Sequence, residues 1–174
     1  GGRIWLNNPE FMEMFRLMEA HGMILGVELA DGDRQVGELR EVIEECGQLK
    51  VVIGHFGMVT RDGWMEQIKL ARHQHVYIDS GGMTWLFNHE GYPFGSAVRA
   101  IRQAADEVGM DKLMWGSDYP RTITAITYRQ AIDWVVNSDG LTAEEKRLFM
   151  GENARRLFGF AEAAPMPHVK NMSE

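Results

Sequence analysis

Apolar residues follow two alternating periods along the chain. Phe11, Met14, Phe15 and Met18 recur at i, i+3, i+4 and i+7, which predicts one helical face, with Asn8 as N-cap, Pro9 at the first helical position and Gly22 as the stop. Val36, Leu39, Ile43 and Cys46 repeat that period ahead of Gly47, and Phe94, Ala97, Val98, Ile101, Ala105 and Val108 mark a longer amphipathic helix that Gly109 ends. Trp64, Ile68 and Ala71 define a short helix that Asp62 can cap, and residues 128–136 and 152–158 are also predicted helical. Thr142-Ala-Glu-Glu145 spells a capping box that opens a further helix. Between these lie short apolar runs at 3–6, 23–29, 49–56, 76–80 and 112–115, predicted as five strands. Val51-Val52-Ile53 is a continuous β-branched run, suited to a strand covered on both faces in a parallel sheet.

Strands alternating with helices predict an α/β fold. Two architectures satisfy the pattern: a doubly wound open sheet and a segment of a (β/α)8 barrel. Neither Gly-x-Gly-x-x-Gly nor Gly-x-x-x-x-Gly-Lys occurs at a strand end, so nucleotide-binding versions lose support. Residues 1–160 read as a single domain without repeat or linker, and residues 161–174, with Pro165 and Pro167 and no periodicity, as a mobile tail or oligomer arm. The chain opens Gly-Gly-Arg-Ile-Trp-Leu, without an initiator Met and with an apolar run almost at once, which reads as the cut edge of a larger fold.

Composition narrows the function classes. Apolar residues are 45% and charged residues 25%, the balance of a soluble globular protein. With 25 acidic against 18 basic residues and no Lys/Arg run, nucleic acid and anionic membranes are poor partners, which leaves small-molecule substrates. The single Cys46 allows no internal disulfide and sits with Val42 and Ile43 at helical spacing, so it reads as a buried small hydrophobe. That cysteine usage, with no apolar run of membrane length and no signal peptide, gives a cytoplasmic expectation.

Parallel sheets bind ligands at the C-terminal ends of their strands. The polar residues expected there are Asn7 and Asn8, Glu28, His55, Asp79 with Ser80, and Ser117 with Asp118. A histidine and an acid on neighbouring strand tips can bind a divalent metal or work as an acid–base pair. His73-Gln-His75 also spells His-x-His, but it precedes a strand and falls at the opposite end of the sheet.

Gly54-His-Phe-Gly57, Tyr77-Ile-Asp-Ser-Gly-Gly82, Lys112-Leu-Met-Trp-Gly-Ser-Asp-Tyr-Pro120 and Gly151-Glu-Asn-Ala-Arg-Arg-Leu-Phe158 occur in that order. Together they resemble the C-terminal half of the amidohydrolase-related (amidohydrolase 2 type) TIM-barrel metal-dependent hydrolases, a group that includes sugar lactonases and carboxylate decarboxylases. The resemblance runs from Arg3 to Phe160. It implies a partial (β/α)8 TIM barrel covering about strands four to eight, plus C-terminal helices.

His55 then matches the histidine of the sixth strand, a metal ligand or electrophile in many relatives. Asp118 matches the aspartate of the eighth strand, which touches the metal and takes a proton from the attacking water. Arg121 can pair with a substrate carboxylate, and Tyr119 and Trp85 join it as substrate-binding candidates. Trp85, Phe87 and Tyr92 either wall the pocket or pack over the barrel rim. The family's His-x-His of the first strand and the histidine of its fifth strand are absent, and Glu28 is the one ligand candidate at the latter place. The implied cofactor is zinc, with manganese as the alternative, in a site that His55, Asp118 and Glu28 leave incomplete.

The expected function is therefore the C-terminal part of a metal-dependent hydrolase acting on a small carboxylate, ester or lactone, with metal-activated water and Asp118 as general base. Non-oxidative decarboxylation on the same scaffold is the alternative. A catalytically incomplete fragment or interaction module is the third reading. Five strands cannot close a barrel, so association with the missing barrel part or with a second copy is expected.

Overall fold

The computed structural model describes residues 5–29 and 35–162. Asn8 opens the first helix, α1 (Pro9–Ala20): its side-chain oxygen accepts the Phe11 N–H at 3.0 Å, and Pro9 stands where no N–H is needed. The buried stripe of α1 runs through Met12 and Phe15, with Phe11 and Met18 packed partly against the core, whereas Met14 is exposed. Apolar residues occupy both sides of the expected face, so periodicity does not choose between Met12 and Met14; the packing partner does.

The remaining elements follow as β1 (Ile24–Val27), α2 (Val36–Glu45), β2 (Lys50–Ile53), α3 (Trp64–Lys69), β3 (Val76–Asp79), α4 (Met83–Leu86), α5 (Gly95–Val108), β4 (Leu113–Met114), α6 (Tyr128–Val136), α7 (Ala143–Arg147) and α8 (Asn153–Phe158). The strands form one parallel sheet in the order β1-β2-β3-β4, with Val27 opposite Ile53, Ile53 opposite Ile78 and Ile78 opposite Leu113. Each strand therefore lies beside its predecessor in the chain, the winding of a barrel segment.

Alternation along the strands separates two faces. Val51, Ile53, Val76, Ile78 and Leu113 enter the main core with the helices, together with Leu39, Ile101 and Phe149. Val52 and Met114 point the other way and pack with Leu157, Ile24, Tyr77 and Ala154. A sheet covered on both faces explains why β2 reads as an unbroken apolar run. Cys46 is buried, and burial pushes its thiol above the ordinary range, in keeping with a packing role.

Among the described residues the strands number four rather than five. Of the strand expected at 3–6, Arg3 and Ile4 lie outside the described residues, and Trp5 and Leu6 are not in a strand. The Leu6 N–H, which a ladder would use, is given to Glu38 Oε2 at 2.9 Å. The tail expected from Ala161 lies outside the described residues beyond Glu162. No helix among the described residues is long and apolar enough to cross a membrane.

Helix ends behave as their residues dictate. Thr142 and Glu145 close a capping box at the start of α7, and Thr127 with Gln130 forms a second one on α6. Asn153, buried at the start of α8, donates to Met110 O and Leu113 O, both at 2.8 Å, and so ties the last helix to β4. Beside it Glu152 gathers Arg155, Arg156 and Arg147, and the hydrogen bonds from Arg155 and Arg156 hold its carboxyl down to about 2.

Candidate active site

The chain leaves β2 through Gly54 in extended conformation and then turns sharply at His55 and Phe56, both with φ of 50°. This left-handed region is rare for residues other than glycine. Burial of Phe56 holds the turn: its ring is fully enclosed and stacks on Trp64 at 6.2 Å. Gly57 permits the close approach, because a Cβ there would lie 3.0 Å from Gln67 Cβ and 3.2 Å from Trp64 O. With Phe56 drawn into the core, His55 is left at the strand tip.

Asp118, beyond β4, repeats the feature with φ of 51°. Its carbonyl accepts the Thr122 N–H at 3.1 Å, and the buried Thr122 hydroxyl donates to Ser117 O. Non-glycine residues in this conformation cost on the order of 1–3 kcal/mol each and cluster at functional sites. That the two candidate residues share it is an observation independent of any resemblance.

Their side chains meet. His55 Nε2 lies 3.7 Å from Asp118 Oδ1, and His55 Nδ1 lies 3.0 Å from Glu28 Oε1. The contact with Glu28 has ion-pair distance without hydrogen-bond alignment. Glu28 and Asp118 thus approach opposite ring nitrogens. Trp85, on α4, donates its indole N–H to Asp118 Oδ2 at 2.6 Å and meets the His55 ring edge-on at 5.7 Å. Arg121 lies over the same indole, with Cζ 4.2 Å from the ring centroid. Tyr119 is exposed, packs edge-on against Tyr128 and lines the cavity at the tips. That cavity, about 390 Å³, is also bordered by His55, Asp79, Gly116, Ser117 and Asp118.

Not every strand-tip residue joins. The Asn7 amide donates to Glu41 at 2.6 Å and Asn8 caps α1. Phe87 enters the core and Tyr92 packs on Phe94, so of the three aromatics only Trp85 reaches Asp118. His75 precedes β3, where its carbonyl accepts the Val51 N–H.

Asp79 is the residue that sequence reasoning noted at a strand tip without giving it a role. It ends β3, and alternation puts it on the face of Tyr77, between the tips that carry His55 and Asp118. Its Oδ1 accepts the Gly81 N–H, and it packs so closely on Gly116 that a Cβ there would collide with it. Burial pushes the Asp79 carboxyl above the ordinary range; the Gly81 hydrogen bond and the nearby imidazole act against that, and Asp118 adds to it. The usable signal was its position one strand from each partner, followed by Gly81-Gly82.

A metal fits two of these groups. Zinc holds nitrogen and oxygen ligands at about 2.0–2.2 Å, so Nε2 and Oδ1 at 3.7 Å can flank one ion after a small closure. A complete site takes three or four protein ligands. Among the described residues no group of three His, Cys, Asp or Glu side chains converges in that way.

Comparison with known proteins places the fold and the family. The chain is 32% identical over 78 residues to a 4-sulfomuconolactone hydrolase from Rhizobium radiobacter, a stretch covering 41% of this chain and 25% of that one. A protein assigned as a 2-pyrone-4,6-dicarboxylic acid hydrolase from Pseudomonas putida superimposes with a TM-score of 0.70 at 22% identity, over 94% of this chain and 61% of its own. An amidohydrolase from Burkholderia multivorans with bound zinc gives 0.69 at 20% identity, over 88% and 58%. The chain therefore spans about three fifths of these solved structures, and its sheet corresponds to part of their barrel. With the amidohydrolase sequence pattern matched across residues 1–160, this chain belongs to the amidohydrolase family.

Proposed function

We propose that the chain carries one side of a metal-dependent hydrolase site for a small carboxylate, ester or lactone. The observation that carries the reading is the meeting of His55 Nε2 and Asp118 Oδ1 at 3.7 Å, from two strand tips in left-handed backbone. Zinc or manganese held by these two atoms, with further ligands from outside the described residues, would acidify water and polarise a carbonyl. Glu28, with Oε1 3.0 Å from Nδ1, lies on the side of the ring away from Asp118 and would orient the imidazole with Nε2 towards the site. It serves as an orienting group in this scheme rather than as a third ligand. With Oδ2 taken by Trp85, the second lone pair of Asp118 Oδ1 would accept the proton of the attacking water. Tyr119 lines the cavity and Arg121 lies over Trp85, and the two suit a substrate's flat ring and its carboxylate. A lactone is favoured over a substrate losing CO₂ because a carboxylate base beside the site gives hydrolysis its proton acceptor.

Zinc and manganese are titrated into the protein by calorimetry, and ring opening on a lactone panel is followed beside CO₂ release from small carboxylates. Binding that His55→Ala and Asp118→Ala abolish is expected, with hydrolysis falling about 10²–10⁴-fold in Asp118→Asn. No metal binding by the wild type, or CO₂ release without ring opening, would overturn the proposal.

A further inference from the structure

We infer that Trp85 is a positioning residue for Asp118 and not a wall of the substrate pocket. Its indole N–H holds Oδ2, so that Oδ1 alone is presented beside His55 Nε2. The inference rests on the reading of Asp118 as proton acceptor.

A carboxylate has two equivalent oxygens and a soft terminal torsion, so an aspartate on a strand-tip turn does not by itself choose which oxygen faces a substrate. The 2.6 Å contact from Nε1 makes that choice, and a hydrogen bond to an ionised acceptor is about twice as strong as a neutral one. The indole cannot readily follow the carboxylate if it moves. The Trp85 backbone N–H is bonded to Gly82 O at 3.1 Å, the Arg121 guanidinium covers one ring face, and the His55 ring abuts an edge.

Gly82 completes the seat. Its φ is +80°, and a Cβ at this position would lie 2.6 Å from Trp85 Nε1 and 2.6 Å from His55 Cδ2. The space that only glycine leaves is thus taken up at the N–H itself and at the imidazole it accompanies. Phenylalanine at position 85 could keep the stacking with Arg121 and the edge contact with His55. The donor to Oδ2 is the one feature that requires tryptophan.

The test uses the ¹⁵N-labelled protein without metal. The Trp85 indole N–H resonance, assigned through the correlations of its own residue, is expected to exchange slowly with solvent. It should move in Asp118→Asn and stay in place in Glu152→Gln. Trp85→Phe is then expected to weaken zinc binding about 10–100-fold and to lower kcat for lactone hydrolysis while leaving KM unchanged. An indole resonance indifferent to Asp118→Asn overturns the inference, as does a Trp85→Phe enzyme whose KM rises at constant kcat. If Trp85→Phe does not fold, the Asp118→Asn spectrum decides alone. A protein that keeps the indole signature but hydrolyses no lactone would remove the hydrolase reading and leave the contact standing.

Discussion

Alanine at Gly82 is a small change with a large expected effect. At φ of +80° an L-residue pays for its Cβ against its own backbone, about 1–2 kcal/mol. The same Cβ meets Trp85 Nε1 and His55 Cδ2 at 2.6 Å, and inserting a methyl into a closed site costs about 1–3 kcal/mol more. Relief by moving the indole is available only at the expense of its bond to Asp118, which makes the upper half of the range the better guide. A loss of about 2–5 kcal/mol corresponds to a fall in melting temperature of roughly 4–20 °C for a chain of this size. Thermal unfolding followed by circular dichroism measures it, with Gly26→Ala as control. Gly26 lies in β1 with no atom within 4 Å of a built Cβ, so that variant should stay within about 0.5 kcal/mol of wild type. A Gly82→Ala protein melting within about 2 °C of the wild type would refute the argument, because neither the backbone term nor the contact would then be real.

Two further expectations follow from the C-terminal helices. Asn153→Ala removes both donors to Met110 O and Leu113 O and strands two buried carbonyls, for a loss of about 2–4 kcal/mol in denaturant unfolding; a change below about 1 kcal/mol would contradict that role. Glu152 should titrate near 2 by carbon-detected NMR, its arginine neighbours favouring the ionised form. A depressed carboxylate contributes stability that is present above the unfolded value of 4.5 and is lost as pH falls towards about 2. High salt should move the midpoint upward, since the arginines of the cluster reach solvent; a midpoint near 4.5 at low salt would show that the arginines do not hold it.

Local patterns told the helices apart from the strands. The Asn8-Pro9 start, the Thr142–Glu145 box and the Gly109 stop depend on atoms within one turn, and all three stand where periodicity and capping chemistry put them. The continuous β-branched run of β2 announced a sheet covered on both faces. Elements decided by distant partners were harder to read. The segment near Leu6 has strand-like composition, yet its N–H is claimed by Glu38, 32 residues away. In α1 the choice of Met12 over Met14 belongs to the surface against which the helix lies.

The same division runs through the site. His55 and Asp118 could be named from sequence because a parallel sheet delivers strand ends to one side whatever its side chains, and their flanking motifs resemble a known family. Their conformation and company could not. The left-handed turn at His55 depends on where Phe56 finds a pocket, and the choice between the two oxygens of Asp118 depends on an indole 33 residues earlier in the chain. The environment of Asp79 is likewise a product of the fold, since Gly116, just beyond the neighbouring strand β4, packs closely on it. Sequence by itself determined which chemical groups stand at the tips, because strand and helix periods are written in nearest neighbours. Tertiary structure alone decided how those groups face one another, because hydrogen bonds and close contacts between strands are set by register and packing across the sheet.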